Sequence, residues 1–134
     1  ALAGIEPVGA ELNSLIFTNI VSQEVEPGEY DTFDRDVFAG YIAGLREAGW
    51  RGDTRHVRLA CVLACCLRGV TRVSAFATAV AADPDESTWR EIADFIRARD
   101  LDEVIEQVAR ANLFLADRVA EANMLLDEGV PGRA

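Results

Sequence analysis

Three cysteines and one histidine are the side chains of this sequence best suited to nucleophilic or metal chemistry. Cys61 and Cys65 are one helical turn apart, Cys66 follows directly, and His56 precedes them in the same segment. A structural zinc site needs four ligands, and the chain has no second cysteine pair to complete one. We therefore interpret the cysteines as small core residues. We interpret His56 as a half-exposed residue of a first helical turn, with a catalytic base as the open alternative.

An acidic stretch from Glu24 to Asp36 is the next candidate for chemistry. It contains six carboxylates: Glu24, Glu26, Glu29, Asp31, Asp34 and Asp36. An EF-hand calcium loop needs an ordered run of oxygen ligands with a central glycine and a final glutamate, and that pattern is absent. Asp31, Asp34 and Asp36 are therefore predicted to be solvated carboxylates at the start of a helix. The alternative is that some of the six line a site for a cationic substrate.

The thirteen basic residues are all arginines, and the chain contains no lysine. A phosphate-binding P-loop and the nucleotide lobe of a kinase each need a lysine, so this chain cannot supply either. Schiff-base chemistry is excluded for the same reason. Arg46, Arg51, Arg55 and Arg58 surround one predicted interhelical turn. We interpret them as surface charges that contribute little to stability, with a phosphate contact as the alternative.

Length and charge narrow the class of protein. A chain of 134 residues with 50% hydrophobic content suits a single domain with its own core. The net charge of −10 argues against nucleic-acid binding and suits solubility or attraction of cationic small molecules. The odd cysteine count and the absence of a signal peptide predict free thiols in a reducing cytoplasm. No apolar run reaches the roughly 20 residues that a bilayer crossing requires.

The segment that the other elements must surround is the apolar run from Leu59 to Leu67. Its apolar residues occupy every side of a helical wheel, which is typical of a buried helix. Asp53 is a suitable N-cap for this helix, which we extend to Ala82, and Gly69 marks a point where it bends or divides. We predict an all-α bundle of about five helices around this buried central helix, without a sheet.

The other helices follow from apolar periodicity and from end signals. The first is predicted over Ala10–Val25, and the second opens in the acidic stretch and ends at Gly49. The fourth begins at Asp83-Pro84, and its inward residues are Trp89, Ile92, Phe95 and Ile96. The last spans Asp100–Glu128, with Asp100 and Glu103 at capping-box spacing. Residues 1–134 thus form one helical domain: a loop over 1–9, helices over 10–128 and a tail over 129–134.

Two predicted helices carry apolar stripes that define their inward faces. In the first helix these residues are Leu12, Leu15, Ile16, Asn19 and Ile20. In the last helix they are Leu101, Val104, Ile105, Val108, Ala111, Leu115, Val119, Ala122 and Leu126. Leu113, Phe114, Met124 and Leu125 lie off that stripe, and we expect them to be available for an interface.

Two segments resemble the aminoglycoside phosphotransferase and choline kinase superfamily. The first reads Ala3-Gly4-Ile5-Glu6-Pro7-Val8-Gly9-Ala10-Glu11-Leu12; in that family it directly follows the Asp-Trp that ends the metal-binding motif. The second reads Phe38-Ala39-Gly40-Tyr41-Ile42-Ala43-Gly44-Leu45-Arg46-Glu47-Ala48-Gly49-Trp50. The likeness continues through Arg51-Gly52-Asp53 and the apolar run to Leu67, and fades beyond it. Glu6 departs from the family, in which many members have a small residue at that point.

The resemblance implies the C-terminal helical part of a protein-kinase-like lobe. Enzymes of this family transfer the ATP γ-phosphoryl group to a hydroxyl of a small, often cationic acceptor. Their catalytic aspartate, asparagine and metal-binding aspartate are expected upstream of Ala1. We therefore assign no catalytic, cofactor-binding or metal residue within this chain. ATP and Mg²⁺ belong to the parent enzyme. The implied partners are the N-terminal kinase-like lobe and a cationic acceptor framed by residues between Glu24 and Asp36.

Two alternatives remain open at this point. The chain can be a stand-alone helical interaction or dimerisation module without enzyme activity, which uses the off-stripe residues of its last helix. A helix-turn-helix DNA-binding protein is a weaker alternative, because the negative charge opposes it.

Overall fold

The computed structural model describes residues 7–82 and 86–129, and within those ranges it contains helices and turns but no strand. The five helices are α1 (Leu12–Val21), α2 (Tyr30–Glu47), α3 (Thr54–Ala82), α4 (Glu86–Ile96) and α5 (Leu101–Gly129), and a 3-10 turn at Pro27–Glu29 leads into α2. The predicted all-helical architecture is confirmed. The predicted start of α4 at Asp83-Pro84 and most of the predicted tail lie outside the described residues. Within the described ranges, no helix has the length and hydropathy that a membrane crossing requires.

Helix α3 lies at the centre of the packing, where it contacts α1, α4 and α5. Val57, Cys61, Val62 and Cys65 are buried along it. The prediction that α3 is buried on every side is wrong at Leu67, whose surface is 70% exposed. The helices that cover α3 lie on its other sides and leave this one in solvent.

Gly69 has a packing role and does not divide α3, which continues unbroken to Ala82. A Cβ placed on Gly69 would lie 2.6 Å from Leu115 Cδ1 on α5. The glycine therefore lets the two long helices approach closely, which is why a helix-breaking residue stands in the middle of α3.

Two apolar clusters form the core. The larger joins α1, the start of α2, α3 and α5 through Leu12, Ile16, Phe17, Ile20, Tyr30, Cys61, Cys65, Ala111, Phe114 and Leu115. The smaller lies between α4 and α5 and consists of Ala93, Ile96 and Val104, with Trp89 packed against it. Ile96 and Trp89 therefore face inward as predicted, while the side chains of Ile92 and Phe95 lie outside the described residues.

Helix α1 ends four residues earlier than predicted, at Val21. Gln23 follows in the left-handed conformation with φ +57°. The N–H of Glu24 donates to the Asn19 carbonyl at 3.0 Å, which closes the helix in the way a C-terminal glycine usually does. The side chain of Gln23 donates to the Ile96 carbonyl at the end of α4, 3.0 Å away. A contact with a distant residue thus stabilises this turn, although the local sequence has no glycine to predict it.

The end of α4 has the same form. Arg97 is left-handed with φ +58°, and the Ala98 N–H donates to the Ala93 carbonyl at 2.8 Å. Arg97 also forms an ion pair with Glu24 at 2.7 Å. Each of the two left-handed turns therefore contacts the other, and we call this pair of contacts the turn clasp.

The buried face of α5 differs from the predicted stripe. Ile105, Val119 and Leu126 were expected inside but are 50%, 43% and 43% exposed. Phe114, expected outside, is buried, as is Gln107. The amide of Gln107 donates to the Ile20 carbonyl at 2.9 Å, so a polar residue occupies a core position because its hydrogen bond is made. The predicted inward face of α1 is wrong in the same way, because Leu15 was expected to be buried and is exposed.

The predicted helix caps are confirmed at three positions. Asp53 Oδ1 accepts from the Arg55 N–H at 2.9 Å, and Asp100 Oδ1 accepts from the Glu103 N–H at 2.9 Å. The Glu103 carboxylate accepts the N–H of Arg99 at 2.7 Å, one residue before the position that a capping box requires. Gly49 has φ +92°, which closes α2 with the hydrogen bonds of a Schellman motif.

Gly9 is the residue that holds the N-terminal turn against α3. It is buried with φ +100°, and a Cβ there would lie 2.6 Å from the Val57 carbonyl oxygen. We expect Gly9→Ala to lower the free energy of unfolding by about 1–3 kcal/mol, because it adds both strain and a backbone clash.

Gly40→Ala is the matched control, since nothing lies within 4 Å of a Cβ at that position of α2. We expect it to be neutral or to stabilise by about 0.5–1 kcal/mol. Urea unfolding measures both variants, and equal effects at the two glycines would contradict the packing described for Gly9.

Candidate functional site

A buried charge cluster joins α2, α3 and α5. Its centre is Asp34, which is 2% exposed. Arg58 donates to both oxygens of Asp34, with Nη1–Oδ1 at 2.8 Å and Nη2–Oδ2 at 2.6 Å. Arg118 donates a further bond to Oδ2. Glu121 accepts from Arg58 Nε at 2.6 Å and lies 3.2 Å from Arg118 Nη1. Two guanidinium groups and two carboxylates therefore compensate one another.

Two aromatic rings line the cluster. The guanidinium carbon of Arg58 lies 5.1 Å from the Phe38 ring centroid, and that of Arg118 lies 4.8 Å from the Phe114 centroid. Both distances are within the range of cation–π contacts. Burial opposes the charge on Arg58, but its hydrogen bonds to Asp34 and Glu121 raise the pKa of the guanidinium above its ordinary value. Arg58 thus keeps its charge despite partial exclusion of water.

The hydrogen bonds of Asp34 are made within the cluster. Both Asp34 oxygens accept hydrogen bonds from arginines. Asp34 is also buried, so its carboxylate is engaged with the two arginines and not with solvent. Among the described residues, no three His, Cys, Asp or Glu side chains converge closely enough to hold a metal ion.

The cluster corrects two sequence predictions. Asp34 was expected to be a solvated carboxylate and is buried, whereas Asp31 and Asp36 are exposed as expected, with side chains 76% and 69% accessible. Arg58 was expected on the surface and is largely buried, with 14% of its side chain exposed. Arg46, Arg51 and Arg55 are exposed. Arg118 was overlooked in the sequence analysis. It lies seven residues after Ala111 and three after Leu115, on the same face of α5 as these two buried residues.

The acidic stretch is largely neutralised within the chain. Glu24 pairs with Arg97 at 2.7 Å, Asp31 with Arg118 at 3.0 Å and Asp36 with Arg35 at 3.6 Å. Glu26 and Glu29 are exposed at the 3-10 turn, and the described ion pairs include neither of them. If the acidic stretch attracts a cation, Glu26 and Glu29 are the carboxylates that can contact it.

The segments that carry the family resemblance meet at two places. At the first, Glu11 accepts from the Gly9 N–H at 3.0 Å and from the Tyr41 hydroxyl. Burial opposes the charge of Glu11, but these hydrogen bonds leave the pKa of its carboxyl below the usual 4.5. Burial and the contact with Glu11 raise the pKa of Tyr41 to about 12. This contact fastens the start of α1 to the middle of α2.

The second place is the turn between α2 and α3. Arg46 lies over the Trp50 ring at 4.8 Å and donates to the Gly52 carbonyl at 3.1 Å. Arg51 donates to the Arg46 carbonyl at 3.2 Å, which closes the turn from its other side. Arg46 and Arg51 therefore donate to carbonyl groups of the turn itself, and this geometry gives no support to the alternative of a phosphate contact.

The cysteines and the histidine do not form a reactive site. The three thiols are free, with Cys61 and Cys65 buried and Cys66 half-buried. Burial raises the pKa of Cys61 to about 11 and that of Cys65 to about 12, so both remain protonated at neutral pH. His56 is exposed in the first turn of α3, more so than expected.

A shallow groove of about 220 Å³ runs beside α5. Its lining residues are Pro27, Tyr30, Asp31, Arg110, Leu113, Phe114 and Asp117. Tyr30 and Phe114 form its floor as an edge-to-face pair with centroids 6.0 Å apart. Charges of both signs border it, so the groove alone does not select a cation.

The Asp34 cluster yields a stability prediction. Asp34→Asn removes the carboxylate that holds Arg58 and Arg118, and we expect a loss of about 3–5 kcal/mol in the free energy of unfolding, because two guanidinium groups lose their shared partner. Asp36→Asn, two residues along the same helix but exposed, should change it by no more than about 0.5 kcal/mol. Urea unfolding at neutral pH compares the two, and equal losses would show that the cluster does not hold the helices.

The Tyr41–Glu11 contact yields a pH prediction. The phenol has an ordinary pKa of 10.0 in the unfolded chain and about 12 in the folded one. Its contribution to stability is therefore complete below pH 10 and falls as the pH rises through 12. We expect the tyrosinate absorbance of the native chain minus that of Tyr41→Phe to titrate near pH 12. A difference that titrates at pH 10 would contradict the contact.

Comparisons with protein-family models, with curated proteins and with solved structures found no match to this chain.

Proposed function

We propose that this chain is the C-terminal helical part of a kinase-like small-molecule phosphotransferase, which frames the acceptor site and does not catalyse alone. One observation carries the proposal. Several residues that bear the family resemblance hold neighbouring elements together: Gly9 packs against Val57, Glu11 accepts from Tyr41, and Arg46 lies over Trp50 in the turn between α2 and α3. A supporting wall needs residues that pack and hydrogen-bond internally.

In this proposal the chemistry is shared with a second, N-terminal lobe. That lobe binds ATP and Mg²⁺ and carries the catalytic aspartate, the asparagine and the metal-binding aspartate of the family. The present chain has no lysine to hold a nucleotide phosphate, which fits a role outside the nucleotide site. We place the protein in the cytoplasm, where free thiols such as these remain reduced.

The acceptor in this proposal is a small cation with a hydroxyl group. The net charge of −10 favours its approach, and Glu26 and Glu29 offer carboxylates at the turn before α2. The Asp34 cluster holds α2 firmly on α3 and α5, so that this turn keeps a fixed position relative to the bundle.

A second candidate is a non-enzymatic module that associates through α5. It is favoured by Leu113 and Met124, which are 70% and 60% exposed. The family resemblance does not support this second candidate, because the residues that carry the resemblance all lie before α4 and the exposed residues lie on α5.

The proposal predicts binding without turnover. With ATP and Mg²⁺ present, we expect no phosphorylation of an aminoglycoside or of choline by this chain, because the catalytic groups belong to the other lobe. We expect an NMR titration with the aminoglycoside to shift the amide signals around Glu26 and Glu29. Glu26→Gln/Glu29→Gln should remove those shifts. Glu47→Gln, an exposed glutamate at the far end of α2, should keep them.

Two results would count against the proposal. Measurable phosphorylation by this chain would place the catalytic groups inside it. Equal shifts with the aminoglycoside and with an uncharged polyol would exclude recognition of a cation.

A direct genetic check is the coding sequence upstream, which we expect to encode an Asp-Trp and a His-Gly-Asp loop in the same reading frame.

A further inference from the structure

The middle of helix α3 turns its charged side chains toward the bundle. Arg58 belongs to the buried cluster that holds α2. Arg68 Nη1 lies 3.1 Å from the side-chain amide of Asn13 on α1. The guanidinium carbon of Arg72 lies 5.9 Å from the ring centroid of Phe17, also on α1. A surface helix normally directs its charges to solvent and its apolar residues to the core. Here the arrangement is reversed.

The opposite side of the same stretch is apolar. We call it the α3 stripe, and it consists of Leu59, Leu63, Leu67 and Val70. Spacings of four, four and three place these residues on one face of the helix, over a length of about 16 Å. Arg68 is the only charged residue from Leu59 to Val70, and it faces α1. The stripe is therefore uninterrupted by charge.

The described helices leave much of the α3 stripe in solvent. Leu59 and Leu63 are half-buried, whereas Leu67 is 70% and Val70 is 55% exposed. Helices α1, α4 and α5 pack on the other sides of α3. An apolar stripe in water lacks the free energy that its burial would supply, and such a surface marks a place where another apolar surface packs.

We propose that the N-terminal lobe of the parent enzyme packs on the α3 stripe through an apolar surface of its own. The inference rests on the proposed function, which requires such a lobe, and it adds the place where the two parts meet. Leu59, Leu63 and Leu67 belong to the apolar run that continues the family resemblance. The exposed side chains of α5 lie outside that segment.

The path of the chain joins such a lobe to the bundle near the stripe. Gly9 lies against Val57 in the first turn of α3, two residues before Leu59. A lobe that precedes this chain is therefore attached at the N-terminal end of the stripe. An α-helix is about 10 Å across, a distance that about four extended residues span. The stripe is thus within reach of a lobe attached at this point.

A linked lobe fits the α3 stripe better than a free partner does. Covalent linkage gives the lobe a high effective concentration, so the stripe stays covered even in dilute protein. Interfaces that are covered permanently are more hydrophobic than transient ones, which keep more polar residues. The four residues of the stripe include no polar side chain.

The first test measures coverage of the stripe directly. Leu67→Cys and Leu113→Cys each place a thiol at a position that is 70% exposed, but only the first lies on the stripe. The rate of maleimide alkylation at each site is followed by mass spectrometry in this chain and in the parent enzyme. We expect the Leu67→Cys thiol to react at least about tenfold more slowly in the parent, because the lobe covers it. The Leu113→Cys thiol, the matched control, should react at the same rate in both.

The second test uses charge to disrupt the contact. In the parent enzyme, we expect Leu67→Asp to lower the melting temperature by several degrees and Leu113→Asp to leave it nearly unchanged. In this chain alone, both substitutions should have little effect, because both positions are exposed. A loss of the same size in this chain and in the parent would overturn the inference.

The labelling results also separate the two proposals. Equal alkylation of Leu67→Cys in this chain and in the parent would overturn the inference. If the same parent phosphorylates a cationic acceptor, the proposed function would still stand. Protection that appears in this chain alone and grows with its concentration would assign the stripe to a second copy and overturn the inference. A coding sequence without an upstream lobe would overturn both proposals.

Discussion

The bundle depends on a carboxylate, Asp34, that lies out of water between two arginines. Each of its partners comes from a different helix, so the cluster fixes α2 against both α3 and α5. Charge removed from water is costly unless every member finds a partner, and removal of one member leaves the others uncompensated. The cluster therefore favours the one arrangement of these three helices in which every charge is paired. Apolar packing alone would tolerate more arrangements.

Much of the helical architecture could be predicted because its signals are local. Asp53, Gly49 and Asp100 act at helix ends through backbone hydrogen bonds within a few residues. The ends of α1 and α4 could not be predicted in this way. Gln23 and Arg97 take a left-handed conformation that glycine favours, and contacts with residues distant in sequence hold them there.

The candidate site was harder to predict than the fold. Periodicity places Arg118 and Gln107 on the buried face of α5, but polarity suggests the surface, and only the position of the partners decides between them. The same reasoning explains Asp34. The proposed role in framing an acceptor comes from the resemblance.

The turn clasp has a consequence for the order of folding. The hydrogen bond from Gln23 to the Ile96 carbonyl joins residues 73 positions apart, so it closes a loop that contains all of α2 and α3. Closure of so long a loop costs entropy that the packing of the helices must offset. Until the helices have assembled, the contacts of Gln23 with Ile96 and of Arg97 with Glu24 cannot form. The two chain reversals should therefore be completed late in folding.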